Sequence, residues 1–435
     1  MELEVEITRL GAQGDGVAER PDGPIFVPFT LPGERVRVAV DPESDHATLL
    51  DVLEQSAERV APVCPHFGVC GGCALQHMEV RAYLRWKHDQ VVAALRSRGL
   101  DAEVDEIRPV PLGSRRRASL TFGRGAKGPA LGYNLSRSHE LIGVEVCPVL
   151  SPRIVAAPPK LRKALAPLVG EKREAKVSVT EIDNGLDIVV EGVRSAPAAL
   201  AAFVRQAPAL GVARLTVGAA LEVDLSGVKV KLPPGTFLQA SREAETVMTG
   251  LVREGVGAAK RVADLFAGLG TFTFALARSA AVDAFEADEA ALTALAEAAR
   301  RTPKLKPVRI FARDLFRSPL RPKALAAYDA IVFDPPRAGA SAQAKELAAS
   351  KVPKLVAVSC NPGTLARDLR ILVDGGYRIT RVVPVDQFLF SPHIEVVAYL
   401  VARRAIGAPR KPERLRSQSH RALRRTGSRH QTAQD

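Results

Sequence analysis

Short apolar runs that alternate with polar residues and break at glycine or proline dominate the start of the chain: ELEVEITRL, a GAQGDGVA turn, IFVPF, LPGERVRVAV and ATLLDVLEQ. A period of two with turns at this spacing predicts an all-β module, a small barrel over residues 1–58. Over residues 59–235 the pattern is mixed. HMEVRAYLRWKHDQVVAALRSRG has helical periodicity, whereas ASLTFG, ELIGVEV, KVSVTEI and GLDIVVEGV read as strands. Strands and helices without strict alternation predict an α+β region. From 236 to 402 the pattern changes again. KRVADLFAG precedes the helical TFTFALARSA, AVDAFEAD precedes ALTALAEAARR, and VRIFARDL precedes a short connection. YDAIVFDPPR then precedes AKELAASK, and KLVAVSCNP precedes TLARDLRILVDGG. This βα repetition predicts a doubly wound parallel sheet, closed by a hairpin of YRITRVVPVDQF and HIEVVAYLVAR. No internal repeat of fixed period is visible.

Composition narrows the class. At 435 residues, 46% hydrophobic and 25% charged, the chain has ordinary globular usage and is long enough for several domains. No apolar run approaches the ~18 residues of a membrane span, and MELEVEITRL lacks the basic and apolar regions of a secretory signal. A cytoplasmic protein without a membrane partner is expected, and no obligate protein partner is evident. The formal charge is +13, but residues 403–435 hold ten Lys and Arg against two acids, leaving +5 for the other 402 residues. That tail has no aromatics or apolar periodicity. It reads as a disordered extension, either solubilising or making loose, salt-sensitive contact with a polyphosphate. Basicity of this kind favours a nucleic-acid partner. Five cysteines are too few for a disulfide scaffold and point to metal or catalytic use.

Candidate chemistry gathers at the ends of the predicted parallel strands, where open α/β sheets bind ligands. In DLFAGLGTFTFA, Gly268 and Gly270 form the turn between strand and helix, but Phe272 stands where a dinucleotide fingerprint has its third glycine. A pyrophosphate cradle is therefore disfavoured. Glu286, 18 residues after Gly268, ends the next strand and can accept both hydroxyls of a ribose; Asp314 ends the third and suits an adenine edge. Taken singly, such acids are ordinarily solvated strand ends. As a set with no Lys or Arg for phosphate, they suit S-adenosylmethionine.

Strand four ends in Asp334-Pro335-Pro336-Arg337. Amino-group methyltransferases use a similar loop with an aromatic residue after the prolines, and Arg337 in that place argues against an exocyclic nitrogen acceptor. Strand five ends in Ser359-Cys360-Asn361-Pro362. A cysteine in a buried strand is most often a small hydrophobe, but at a strand end it can act as a nucleophilic thiolate. Such a nucleophile suits methylation at C5 of a pyrimidine, a carbon that needs prior thiolate addition at C6. A base must then remove the C5 proton, and Glu395 in FSPHIEVVA is the candidate.

FLQAS around Gln239, DLFAGLGTFT, FDPPR, SCNPGTLARDL and HIEVVAYL occur in this order and together resemble the RNA uracil-5-methyltransferases over nearly all of residues 1–402. SCNP after DPPR, with Cys360 standing 26 residues beyond Asp334, is the most specific element. The resemblance implies a Rossmann-like class I methyltransferase domain at 236–402, a TRAM-like β-barrel for RNA at 1–58, an α+β iron–sulfur central domain at 59–235 and a basic tail at 403–435. It implies Cys360 as nucleophile, Glu395 as proton-abstracting base, and Gln239, Phe266, Thr271, Glu286, Asp314 and Asp334 as the S-adenosylmethionine site, Asp334 also serving the uracil. The family writes its closing motif Asp-x-Phe-Pro-His-Thr-x-His-x-Glu. Asp386, Phe388, His393 and Glu395 keep the spacing, while Leu389 and Phe390 replace Pro-His, and Ser241 stands where Asn is common after FLQ.

Cys64, Cys70 and Cys73 form C-x5-C-x2-C, and Cys147 precedes a proline. By spacing alone these four thiols fit either a tetrahedral zinc or a [4Fe–4S] cluster. The resemblance implies the cluster, as a staple rather than a redox centre. Arg115-Arg116-Arg117 and Arg124 read either as phosphate contacts or as a solvated basic face. The resulting expectation is a uridine-C5 methylating enzyme acting on structured RNA, 23S ribosomal RNA first and transfer RNA as the alternative. A cytosine-5 enzyme is disfavoured by the single cysteine on this rim, and a non-catalytic RNA assembly factor by the intact Cys360 and Glu395.

Overall fold

The alternating N-terminal runs form two three-stranded antiparallel sheets. One orders Glu2–Glu6, Arg35–Val40 and Ala47–Glu54, and the other Arg9–Leu10, Gly16–Ala18 and Ile25–Val27. Ile7, Ile25, Val27, Val36 and Val38 fill the space between them, while Glu2, Glu4 and Glu6 face outward. Three of the barrel's arginines are held in surface ion pairs, Arg9–Glu19, Arg35–Glu54 and Arg37–Asp51. Residues 1–58 contain four Arg and no Lys against thirteen Asp and Glu. The barrel is therefore acidic and offers a phosphate backbone few free cations.

The computed structural model describes residues 1–403 apart from 42, 126–127, 136–139, 170–173, 192–200, 202, 204, 207–211 and 216–220. The basic tail read at 403–435 lies, beyond its first residue, outside the described residues. In the central region, strands Arg117–Gly125, Gly128–Asn134, Leu141–Gly143, Ala175–Ile182, Gly185–Glu191 and Val212–Leu215 form one six-stranded sheet. It is antiparallel except at its last pair. A hairpin of Leu221–Leu225 and Val228–Leu232 follows, and its apolar face packs with Phe274, Ala291 and Leu295 of the C-terminal region.

The C-terminal sheet carries strands β1 Arg261–Leu265, β2 Ala281–Glu286, β3 Val308–Ala312, β4 Ala330–Phe333, β5 Lys354–Ser359, β6 Tyr377–Asp386 and β7 Glu395–Ala402. Their order is β3-β2-β1-β4-β5-β7-β6, parallel except for β7, and the two-residue strand Arg108–Pro109 adds at the β6 edge. Val262, Ala263, Ile331, Val332, Val356 and Ala357 are all fully buried. Such runs form interior parallel strands because both faces are covered, each Val or Ile contributing about 1.5–3 kcal/mol. Because β7 runs against β5 with Ser359 opposite Val396, Cys360 and Glu395 emerge side by side at one rim.

Helix α1, Val80–Arg96, ties the regions together. The Glu79 side chain caps it, accepting from the N–H groups of Arg81 and Ala82, and its buried face is Ala82, Tyr83, Trp86, Lys87, Val91 and Leu95. Val91 and Leu95 enter the core of the C-terminal domain, while Ala82, Tyr83 and Trp86 pack with Leu10, Leu31 and Leu75. Lys87 is fully buried. Its Nζ donates to Asp386 Oδ1 at 2.5 Å and to the carbonyls of Phe388 at 3.0 Å and His393 at 2.8 Å. Tyr83 donates to Asp386 Oδ2 at 2.7 Å and accepts from the Phe390 N–H at 2.8 Å. Burial pushes the Lys87 ammonium down, and Asp386 opposes that shift. Removing one partner of a buried pair leaves an uncompensated charge, so Lys87→Met should lower stability by about 3–5 kcal/mol. Urea unfolding checks this, and Lys87→Met combined with Asp386→Leu should recover part of the loss.

Candidate active site

Three groups from different strands meet at the rim. Asp334 follows β4, Cys360 follows β5 and Glu395 opens β7. Glu395 is 5% exposed, and burial pushes its carboxyl up to about 7 against the opposing effects of the Gln387 hydrogen bond and the Arg337 charge. Asp334 is pushed well above the carboxylate range by burial and by the charge of Glu395. Two neighbouring carboxyls in a low dielectric resist ionising together, which holds both above the usual carboxylate range. Cys360 is half-buried, and its thiol is pushed up to about 11 by burial, then by Glu395 and Asp334, with Arg337 opposing. Arg337 Nη2 lies 2.8 Å from His393 Nδ1, above the same rim.

The other acids line the ends of β1 to β3. Gly268 and Gly270 adopt left-handed φ of 54° and 95°, and a Cβ on Gly270 would meet the Phe274 ring at 2.8 Å. Glu286 accepts from the N–H of Gly268 at 2.9 Å and from those of Ala287 and Asp288 at 2.7 and 2.9 Å. Phe266 also has positive φ, and its ring packs against Phe316 at 5.3 Å. Asp314 Oδ1 accepts from the N–H groups of Phe316 and Arg317, and Oδ2 lies 3.5 Å from the exposed Arg317 guanidinium. Thr271 opens the helix Thr271–Leu276. Sequence reasoning passed over Asp264. It is buried in β1, accepts from Thr273 Oγ1 at 2.6 Å and leaves Oδ1 without a partner. Burial and the charges of Asp334 and Glu286 push it up to about 7. The glycine turn, the Glu286 carboxylate and this orphaned buried oxygen fit a cationic nucleoside ligand.

Gln239 is buried and reaches the rim through Gln387. The Gln387 amide donates to Gln239 Oε1 at 3.0 Å and to Glu395 Oε1 at 2.8 Å, and its own oxygen accepts from the Ala240 N–H at 3.0 Å. The FLQ segment is strapped down by the arginine triplet. Arg116 is 2% exposed, pairs with Glu245 at 2.6 Å and donates to the Gln239 carbonyl; Arg117 donates to the Leu238 carbonyl and lies over the Phe237 ring. Neither a phosphate contact nor a solvated face describes Arg116 and Arg117. Arg124 is exposed. Gln387 and Lys87 carried no local signal, since both are read only through partners far along the chain.

Cys64, Cys70, Cys73 and Cys147 line one cavity of about 540 Å³ together with Tyr133, Arg115, Phe388 and His393. Each cysteine is half-buried and free. Burial pushes Cys73 up to about 11 and raises Cys70, and neighbouring thiols of the quartet add to both shifts. Among the described residues, no three His, Cys, Asp or Glu side chains are drawn together around a single metal ion.

The strand order, the glycine turn and the carboxylates at the strand ends define a class I methyltransferase fold. Residues 210–403 match the tRNA (Uracil-5-)-methyltransferase family and residues 1–42 the TRAM domain. An uncharacterized RNA methyltransferase of Rhizobium meliloti is 48% identical over 91% of this chain and 98% of its own. The 23S rRNA (uracil(1939)-C(5))-methyltransferase RlmD of Chromohalobacter salexigens is 36% identical over 91% of this chain and 88% of its own. Among solved structures, the Pyrococcus abyssi tRNA (uracil-54, C5)-methyltransferase in complex with S-adenosyl-L-homocysteine aligns with a TM-score of 0.70. That alignment spans 92% of this chain and 99% of that one at 23% identity, and shows a shared fold. This chain belongs to the RNA uracil-5-methyltransferase family and is an RNA methyltransferase. No helix of the described residues is long and apolar enough to cross a membrane.

A thiol raised by burial should resist alkylation at neutral pH. Iodoacetamide labelling of Cys360, followed by peptide mass, should accelerate with pH toward about 11, and Arg337→Ala, which removes the opposing cation, should slow it further.

Proposed function

We propose that this enzyme transfers a methyl group from S-adenosylmethionine to C5 of a uridine in structured RNA, with 23S ribosomal RNA the favoured substrate. The observation that carries the reading is the meeting of one half-buried thiol, Cys360, with the carboxyls of Asp334 and Glu395 at a single rim, both held above the usual carboxylate range. Cys360, having lost its proton to solvent, adds as thiolate to C6 of the uracil. Asp334, held protonated, can donate to the uracil carbonyl on which the enolate charge collects. S-adenosylmethionine supplies the electrophilic methyl that C5 attacks, its sulfonium leaving as a neutral thioether. Glu395, as carboxylate, then takes the C5 proton; the electron pair restores the C5–C6 double bond and expels the Cys360 thiolate. Gln239, Phe266, Thr271, Glu286, Asp314 and Asp334 are the residues that would hold the donor. The 23S assignment is supported by a relative of that name covering nearly the whole chain and by the TRAM match.

A [4Fe–4S] cluster at Cys64, Cys70, Cys73 and Cys147 belongs to the same reading. Four thiols that line one cavity need a concentrated positive charge if they are to ionise together. A [4Fe–4S] cluster held by these four cysteines would supply it. Methyl transfer from a sulfonium moves no electrons, so the cluster would staple the central region.

RNA carrying tritium at uridine C5 should release it with S-adenosylmethionine present. Cys360→Ala should form no covalent adduct and Glu395→Gln should accumulate one; release of tritium by Cys360→Ala overturns the mechanism. Because Glu395 works ionised and titrates at about 7, release should fall about tenfold per pH unit below that value. Adduct formation should keep rising with pH toward the Cys360 value. Mapping 5-methyluridine in cells with and without the gene separates ribosomal from transfer RNA. Anaerobically purified protein should contain about four iron and four sulfide per chain, lost in Cys147→Ser; iron-free protein of full activity would remove the cluster from the reading.

A further inference from the structure

Gln387 takes no part in the bond changes above, yet its amide joins the two halves of the site. Gln387 is 1% exposed, and its side-chain amide makes three hydrogen bonds, one to backbone and two to side chains. The Ala240 N–H can only donate, so it fixes which end of the Gln387 amide is oxygen. The NH2 end must then face Gln239 and Glu395. The same constraint passes onward: Gln239 has to turn its oxygen toward Gln387, leaving its own NH2 for the rest of the pocket. On Glu395 the bond engages Oε1.

We propose that Gln387 is a positioning residue for C5 proton abstraction: anchored on the Ala240 N–H, it holds Glu395 Oε1 so that Oε2 takes the proton, and it turns the Gln239 amide toward the methyl donor. This rests on the uridine-C5 reading above. An amide donating to a carboxylate favours the ionised form, which the base needs. The charged and titratable groups acting on Glu395 are Asp334, Cys360 and Arg337, from the loops after β4 and β5. None of them orients its carboxyl as Gln387 does, because both hydrogens of one rigid amide fix two partners at once.

The test uses the full chain, S-adenosylmethionine and RNA tritiated at uridine C5, following adduct on denaturing gels and tritium release separately. Gln387→Met keeps the volume and removes both donors. It should still form the Cys360 adduct, release tritium roughly 10- to 100-fold more slowly, and accumulate methylated adduct, with a higher KM for the donor. Gln387→Glu keeps the shape and the Ala240 bond but has fewer protons to donate, and should move the acid limb of the release profile to higher pH. Release within twofold of the parent in Gln387→Met, or an unmoved acid limb in a folded Gln387→Glu, overturns the proposal. A parent enzyme that forms adduct and releases tritium while both variants match it sinks only the Gln387 role; a parent that releases none sinks the uridine-C5 reading itself.

Discussion

An ammonium with no solvent around it holds the reactive rim in shape. All three protons of Lys87 are used, on Asp386, the Phe388 carbonyl and the His393 carbonyl. The segment 387–394 has no helix or strand of its own, so these bonds stand in for a ladder. Burying an ion pair costs free energy unless every lone pair and proton finds a partner, and here Tyr83 supplies the remaining bond to Asp386. Phe390 adopts φ of 56°, a strained left-handed conformation for an aromatic residue. It is held there from both sides: its N–H donates to Tyr83 Oη, and its carbonyl accepts from the N–H groups of Ala74 and Leu75. Leu389 and Phe390, which stand in place of Pro-His in the family's closing motif, are buried and pack into the apolar core beneath the rim. The substitution therefore exchanges residues without losing the anchor that delivers Glu395 to β7.

The same loop forms one wall of the cysteine cavity and one wall of the reactive rim. Ala74, the residue after Cys73, is hydrogen-bonded to it. Whatever fills the cavity and whatever binds the rim thus touch one segment, which α1, the Ala74 and Leu75 N–H groups and the Ala240 N–H hold in place.

How much of this was legible depended on how far apart the partners lie. The parallel strands announced themselves, since VADLF, AIVF and KLVAVS are apolar on both faces, and a strand-end reading brought Asp334, Cys360 and Glu395 to one rim. The edge strand Arg108–Pro109 was not legible, because two residues have no period and their partner is the distant Val385–Asp386. Lys87 sits in an amphipathic helix where lysine is ordinarily solvated, and only Asp386, 299 residues on, explains it. Arg115-Arg116-Arg117 reads as a basic face until Glu245 and the Leu238 and Gln239 carbonyls are seen beneath it. Side-chain hydrogen bonds between remote segments leave no trace in periodicity or composition.

Charge distribution decides where RNA can be gripped. Over residues 1–58 acids outnumber arginines thirteen to four, and three of the four arginines are paired. Phosphate affinity scales with the number of cations brought to the backbone, so this barrel opposes it. Residues 59–402 carry 47 Lys and Arg against 33 Asp and Glu, and it is there that a polyanion gains. Net positive charge on the chain as a whole and an acidic first domain are compatible on these terms, because unpaired bases, whose edges and faces carry no net charge, offer such a barrel contacts that do not depend on phosphate.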